Sequence, residues 1–217
     1  YLQKPPELSK SEVLDSVRVY YGLEGTLYTL PGYRDQNFLL ESPEGEKHVV
    51  KISSPDEADE ILEFETKMIT RLSKDTDGLI PSVIPSTSGN SLVTHQDHQG
   101  CHHRLRILEF LPGTLLADIN PRSNVLLTNL GERMAELGSV LGAYPDHPPP
   151  RIHFDWALGE AGNIMEQSLS VLDGPQRALI KITLRAFLEN EREFLGLGSQ
   201  IIHGDVNDHN VLVSLNS

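Results

Sequence analysis

A chain of 217 residues with 38% hydrophobic and 23% charged residues can bury a core in one domain or two small lobes, and that composition excludes a disordered or fibrous class. The formal charge of −13 argues against a nucleic-acid polymer or an anionic membrane as partner and is compatible with a cationic substrate. The single cysteine, Cys101, rules out an internal disulfide framework. It suits a reducing compartment, and without a long apolar run or a signal-peptide core the expected location is cytoplasmic. The first residue is Tyr1 rather than Met, so the chain is expected to begin inside a longer protein.

Ser9-Lys10-Ser11-Glu12 reads as a capping box ahead of Val13, Leu14, Val17, Tyr20 and Tyr21 on one helical face, and Gly22 can close that helix. Three strand-like runs follow at about 23–30, 36–41 and 46–53, joined through Pro31-Gly32 and Ser42-Pro43-Glu44-Gly45, the pattern of an antiparallel meander. Val49-Val50-Lys51-Ile52 places a lysine inside a β-branched run. Alone, that is a solvent-facing lysine on an edge strand. Ser54-Pro55-Asp56-Glu57 is expected to start a second helix, with Ser as cap and Pro at its first position. Its apolar stripe is Ile61, Met68, Ile69 and Leu72, and Glu65 falls in that stripe, whereas Glu63 lies about 200° around from Ile61 and faces solvent. A carboxylate on a buried face needs a cation, and Lys51 is the expected partner.

Two more strands are expected at 91–95 and 103–111, ending at Leu111-Pro112-Gly113, a hinge signal. Between them His95, His98, His102, His103 and Cys101 invite a metal reading. Neighbouring side chains of a hairpin point to opposite faces and no second ligand pair follows, so a solvated turn is preferred over zinc. A third helix is expected over 123–144 with Leu126, Leu130, Met134, Leu137 and Leu141 on one face, stopped by the prolines from Pro145 onward. Asp155-Trp156 offers an aromatic beside a carboxylate, either core or a platform for a cationic amine. Gly174-Pro175 opens a last helix to about Leu195, and Gly196 and Gly198 release it.

The chain then reaches Ile201-Ile202-His203-Gly204-Asp205-Val206-Asn207-Asp208-His209-Asn210-Val211-Leu212-Val213, read as strand, polar turn, strand, with 199–203 and 210–213 pairing as a hairpin. His203, Gly204, Asp205 and Asn210 follow HGDxxxxN, the small-molecule counterpart of the kinase loop HRDxxxxN. Phosphoryl transfer accounts for that spacing, since an Asp must take the proton of the attacking hydroxyl while an amide oxygen a few residues on holds magnesium. Asp205 and Asn210 fit these roles. The bland alternative is a turn whose Asp and Asn bond only the backbone.

With strand Lys51, helix Glu65, the Pro-Gly hinge, a helical segment and the HGDxxxxN loop in order, the chain resembles the aminoglycoside phosphotransferase family over essentially its whole length. Leu30-Pro31-Gly32-Tyr33-Arg34-Asp35-Gln36-Asn37-Phe38, Leu111-Pro112-Gly113 and the 203–213 loop look like the hydroxylysine-kinase branch of that family. The resemblance implies an α+β, bilobal protein-kinase-like fold. Its antiparallel-sheet, nucleotide-binding lobe would span 1–111, and a helical catalytic and substrate lobe, incomplete at its end, 112–217. It further implies transfer of the γ-phosphoryl group of GTP, or ATP, to the hydroxyl of 5-hydroxy-L-lysine with Mg2+, in lysine degradation. Lys51, Glu65, Asp35 and Asn37 would serve the phosphates, Glu109 and Leu111 the base, Asp205 as catalytic base, Asn210 the metal, and Asp155, Trp156 and Asp208 the substrate. At the position of Glu65 relatives can carry Gln, so the stripe carries that assignment. A second acidic metal ligand is expected on a strand beyond Ser217, and without it the chain alone is expected to be poorly soluble and inactive. The open alternatives are a non-catalytic, pseudokinase-like fragment and a kinase for ethanolamine, choline or an aminoglycoside.

Overall fold

The computed structural model describes residues 5–149 and 157–214. They form two compact units, one of residues 5–149 with 201–214 and one of residues 157–200.

In the first unit, helix α1, Lys10–Tyr21, begins at the expected cap: Ser9 and Glu12 bond each other's backbone N–H groups, and Gly22 ends the helix in the left-handed region. Strands β1 (Thr26–Leu30), β2 (Gln36–Glu41) and β3 (Lys47–Ile52) then form the antiparallel meander. The sheet continues with β6, His102–Glu109, beside β3, and two short strands, β4 (Val83–Ile84) and β5 (Val93–Gln96), share β6's other edge.

Alternation along the strands sorts the sheet into two faces. Leu27, Phe38, Leu40, Val50, Ile52, Leu105 and Ile107 point to one side, where Val13, Val17 and Tyr21 of α1 cover them. Burial of each such side chain contributes about 1.5–3 kcal/mol. It also pushes the Tyr21 hydroxyl up to about 12. The other face carries Lys51 and its ladder partner Arg106, whose guanidinium meets helix α2, Asp59–Leu72. Part of α2's surface joins helix α3, Asn124–Gly142, in a second core of Leu72, Leu137, Leu141 and Tyr144 with Phe64 and Met68 packed against it.

The start of α2 differs from expectation. Ser54 does not cap it: its Oγ accepts from the Asp56 N–H, Glu57 N–H bonds the Ser54 carbonyl, and the helix begins at Asp59 after Ala58 without a side-chain cap. Those bonds close a local turn, the alternative that serine side chains offer to a helix. The end of the chain differs too. Residues 201–203 form no strand, and β8, Leu212–Val213, pairs with β7, Thr114–Leu115, just past the hinge. Gly113 permits that approach, since a Cβ there would stand 3.1 Å from the Leu212 Cβ and the Val213 carbonyl oxygen.

The second unit holds helix α4, Ala161–Ser168, absent from the expected elements, and helix α5, Gly174–Leu195, which starts where Gly174-Pro175 put it. Asp173 and Gln176 close a capping box at its start. Gly162 lies against Phe187 and Leu188, so the two helices meet closely.

Candidate active site

The loop 203–210 is built around Asp205. Both carboxylate oxygens accept side-chain amide hydrogens, Oδ1 from Asn207 at 2.8 Å and Oδ2 from Asn210 at 2.8 Å, and Asn210 also donates to the Asp205 carbonyl at 2.9 Å. The bland alternative, backbone bonds alone, is thereby replaced by a side-chain cluster. Gly204 sits at φ +79°, a conformation open to glycine at little cost, and it turns the chain from His203 into Asp205. The loop is strapped to the residues after the hinge: Leu116 N–H donates to the Val211 carbonyl and Ala117 N–H to the Asp208 carbonyl, each at 2.9 Å. Arg122 Nη2 bonds Asp208 Oδ2 at 2.7 Å and holds that carboxyl below the usual range. Asp208 thus arrives with its charge already matched.

A second group lies on the sheet face beneath α2. Asn37, Lys51 and Arg106 face one another across β2, β3 and β6, so their side chains share one side. The loop joining β1 to β2 folds over tightly. Asn37 Nδ2 donates to the Pro31 carbonyl at 3.0 Å, and a Cβ on Gly32 would overlap the Asp35 carbonyl oxygen. This clasp brings Asp35 Oδ2 to 3.3 Å from Lys51 Nζ.

The expected Lys51–Glu65 pair is not formed. Glu65 Oε2 lies 3.5 Å from Arg106 Nη2, while Nη1 of the same guanidinium bonds Thr66 Oγ1 at 3.0 Å. The reason is burial. Arg106 is 5% exposed, and an arginine so placed claims the nearest carboxylate because leaving it unpaired is costly. The choice between the two helix carboxylates does hold: Glu63 is exposed and pairs with Arg104 at 3.1 Å, away from Lys51. Arg106 was readable as a charge in the apolar run Leu105-Arg106-Ile107-Leu108, the same anomaly that singled out Glu65. Arg122 and Asn207 carried no such signal.

At the hinge, Glu109 N–H donates to the Ser82 carbonyl at 2.9 Å and its carboxylate accepts from Ser82 N–H. Leu111, half-buried, lies two residues past the end of β6. Asp155 and Trp156 lie outside the described residues. No hydrogen bond or ion pair between described residues joins the Asp205 loop to the Lys51 group.

The turn of the histidine-rich hairpin is solvated as expected, with His98, Cys101 and His102 exposed, and the departure lies in its strands. His95 and His103 are ladder partners with rings stacked 6.5 Å apart, His103 is buried, and its Nε2 meets Asp97 Oδ2 at 2.9 Å. Ser16 Oγ of α1 bonds His95 Nδ1 at 2.8 Å. Among the described residues no group of three or more His, Cys, Asp or Glu could hold a metal ion, and no helix is long and apolar enough to cross a membrane.

For magnesium the donor set is narrow. Asn210's amide hydrogens are directed at Asp205, which leaves its oxygen for a cation. One amide oxygen beside a carboxylate fits an ion shared with nucleotide phosphates rather than an all-protein cage.

The sequence profile of the phosphotransferase enzyme family (APH) matches residues 29–217. Hydroxylysine kinase of Danio rerio is 31% identical over 97% of this chain and 62% of its own length, and that of Mus musculus 26% identical over 97% and 60%. The chain therefore spans about three fifths of the length of these relatives. Among solved structures, an amicoumacin kinase in complex with AMP-PNP superposes with a TM-score of 0.70 at 17% identity, covering 96% of this chain and 61% of that one. A microcompartment-associated aminopropanol kinase gives 0.64 at 17% identity over 94% and 65%. The antiparallel sheet with its helices thus has the kinase-like fold of these enzymes.

Proposed function

Because the chain belongs to the phosphotransferase enzyme family, we propose that the protein is a cytoplasmic small-molecule kinase. It transfers the γ-phosphoryl group of GTP, or of ATP, to the side-chain hydroxyl of 5-hydroxy-L-lysine. The observation that carries this reading is the Asp205 cluster. Two asparagine amides fix the carboxylate from both oxygens, and a carboxylate with about four lone-pair sites keeps room to accept the proton of an attacking hydroxyl. Similarity to the fish and mouse hydroxylysine kinases supports the choice of acceptor.

In this proposal residues 1–111 serve the nucleotide and 112–217 the acceptor. Lys51 neutralises phosphate charge, and Asp35, now its partner, yields to the phosphates. Asn37 shapes the covering loop. Glu65 acts in the phosphate region together with Arg106, and the backbone at Glu109 and Leu111 offers hydrogen bonds to the base. Asn210 holds magnesium through its amide oxygen, and magnesium, when bound, supplies positive charge to the transferring phosphoryl group. Asp155 and Trp156 are the proposed contacts for the acceptor's amines. Asp208 suits that task least, since Arg122 already matches its charge.

The test is phosphate transfer from GTP and from ATP to 5-hydroxylysine, ethanolamine, choline and kanamycin, measured on the full-length protein. We expect product from 5-hydroxylysine with GTP as the better donor. Transfer to a different acceptor alone would overturn the substrate, and binding of nucleotide without transfer to any acceptor would overturn the kinase reading in favour of a non-catalytic protein.

A further inference from the structure

We propose that the cleft between one face of α2 and the connection from β4 to β5 binds a small organic anion, a carboxylate or phosphate head on an apolar body. Glu63, Thr66, Lys67, Thr70, Arg71 and Lys74 line one side at the three- and four-residue spacing of a single helical face. Ser91 and Leu92 stand across from them, and the cleft holds about 460 Å³. Small-molecule sites are found at that size, roughly 300–1,000 Å³. The methylene stems of the long cations, the threonine methyls and Leu92 give the walls apolar surface, and side chains of this kind keep their charged ends wet.

The charges around the cleft do not cancel. Glu63 is taken by Arg104 at 3.1 Å. Asp146 Oδ2 lies 3.1 Å from Lys67 Nζ and holds that ammonium charged, with Arg71 the neighbouring cation that opposes it. Arg71 and Lys74 meet no carboxylate among the described residues, and the Arg71 guanidinium lies instead 5.6 Å from the centre of the Tyr144 ring. Cations often end a helix to meet its last carbonyls. Here the Ile69, Arg71 and Leu72 carbonyls already accept from the N–H groups of Ser73, Lys74 and Asp75. The hydroxyls sort in the same way: Thr66 accepts from Arg106 and Thr70 donates to the Thr66 carbonyl, whereas the Ser91 hydroxyl bonds nothing among the described residues. In a chain of net charge −13, the two unmatched cations are a local reversal of sign, and with a free hydroxyl beside an apolar wall they select an anion. One head group saturates them, which fits a small molecule better than a long acidic chain. None of Asp35, Asn37, Lys51, Asp205 or Asn210 lines the cleft, so the proposal does not rest on the kinase reading.

The experiment is calorimetric titration of the full-length protein with phenyl phosphate and phenylacetate, beside inorganic phosphate and phenethylamine, with hydrogen-exchange mass spectrometry to place the site. Phenyl phosphate and phenylacetate should bind and slow exchange in residues 63–74. Inorganic phosphate, which lacks the apolar body, should bind at least about threefold more weakly, and the cation phenethylamine not at all. Arg71→Gln combined with Lys74→Gln should weaken both organic anions about tenfold, the scale of a charge acting over several ångströms near a protein surface. Both side chains are exposed, so the melting temperature should hardly move. Binding of only one organic anion identifies the head group and supports the proposal. No binding of either, unchanged affinity in the double variant, equal binding of phenethylamine, displacement by GTP, or protection confined to other segments would overturn it. A poly-glutamate peptide that binds where neither small anion does would overturn it in favour of a protein partner. If the double variant does not fold, Lys74→Gln alone decides: a loss of about threefold supports the proposal, and wild-type affinity overturns it.

Discussion

At the residue scale, the bonds around Asp205 set the sharpest expectation. Asp205→Asn keeps the size of the side chain and removes the proposed proton acceptor, so in the full-length protein it should lower turnover by about a thousandfold while changing nucleotide affinity little. Steady-state kinetics beside nucleotide titration checks this, and near-normal turnover would take the base role away from Asp205. The helix carboxylates separate by what they leave behind. Glu65→Ala leaves the buried Arg106 guanidinium with the Thr66 hydroxyl as its hydrogen bond to α2, and should cost about 1–2 kcal/mol of stability. Glu63→Ala removes an exposed contact to Arg104 and should stay within about 0.5 kcal/mol. Thermal melting of the two variants tells them apart, and equal losses would show that burial of the arginine is not what matters.

Elements were legible where a local rule had no competitor. The Ser9–Glu12 box, the β1–β3 meander and the Gly174-Pro175 start all rest on short-range chemistry, and each stands where expected. Ser54 misled because the same side chain that caps helices also closes turns, and here the turn won. The pairing of β8 was unreadable from its neighbourhood, since its partner β7 lies far back in the chain. Partner choice for Lys51 failed for a related reason: Arg106 comes from a strand distant in sequence, and its burial outbids a half-exposed lysine. The β5–β6 hairpin and α1 also carry a pH expectation. His95 is held below the ordinary 6.5 first by burial and then by His103, with His98 adding and Glu12 and Asp97 opposing; Ser16 also faces it. A folded value below the unfolded one means the neutral ring is favoured in the fold, so its contribution is present above pH 6.5 and is lost as pH falls through the lowered value. The melting temperature should therefore drop by about a few degrees more on mild acidification than it does in His95→Gln. Parallel pH profiles for the two proteins would refute this.

On the scale of the whole molecule, the two units differ in how much they bury. The sheet's central strand β6 is buried from Leu105 to Leu108, whereas α5 buries only Leu184 and leaves Leu179, Ile182, Leu188 and Leu195 exposed. Local opening follows burial, so amide hydrogens of α5 should exchange at least about a hundredfold faster than those of β6, as followed by mass spectrometry of peptic fragments. Similar rates would mean that the two units open together. The strap between β7 and β8 has a different consequence, for how such a chain diversifies. Thr114 faces Val213, so everything between them leaves the strap and returns to it as one long excursion. The entropy of closing such an excursion grows only with the logarithm of its length, about 0.6 kcal/mol for each doubling. Helices can therefore be lengthened, inserted or exchanged within it while the bonds at its mouth stay as they are. Descendants of one ancestor can in this way vary the helices of the excursion while the 203–210 loop, tied to Ala117 through Asp208, is kept.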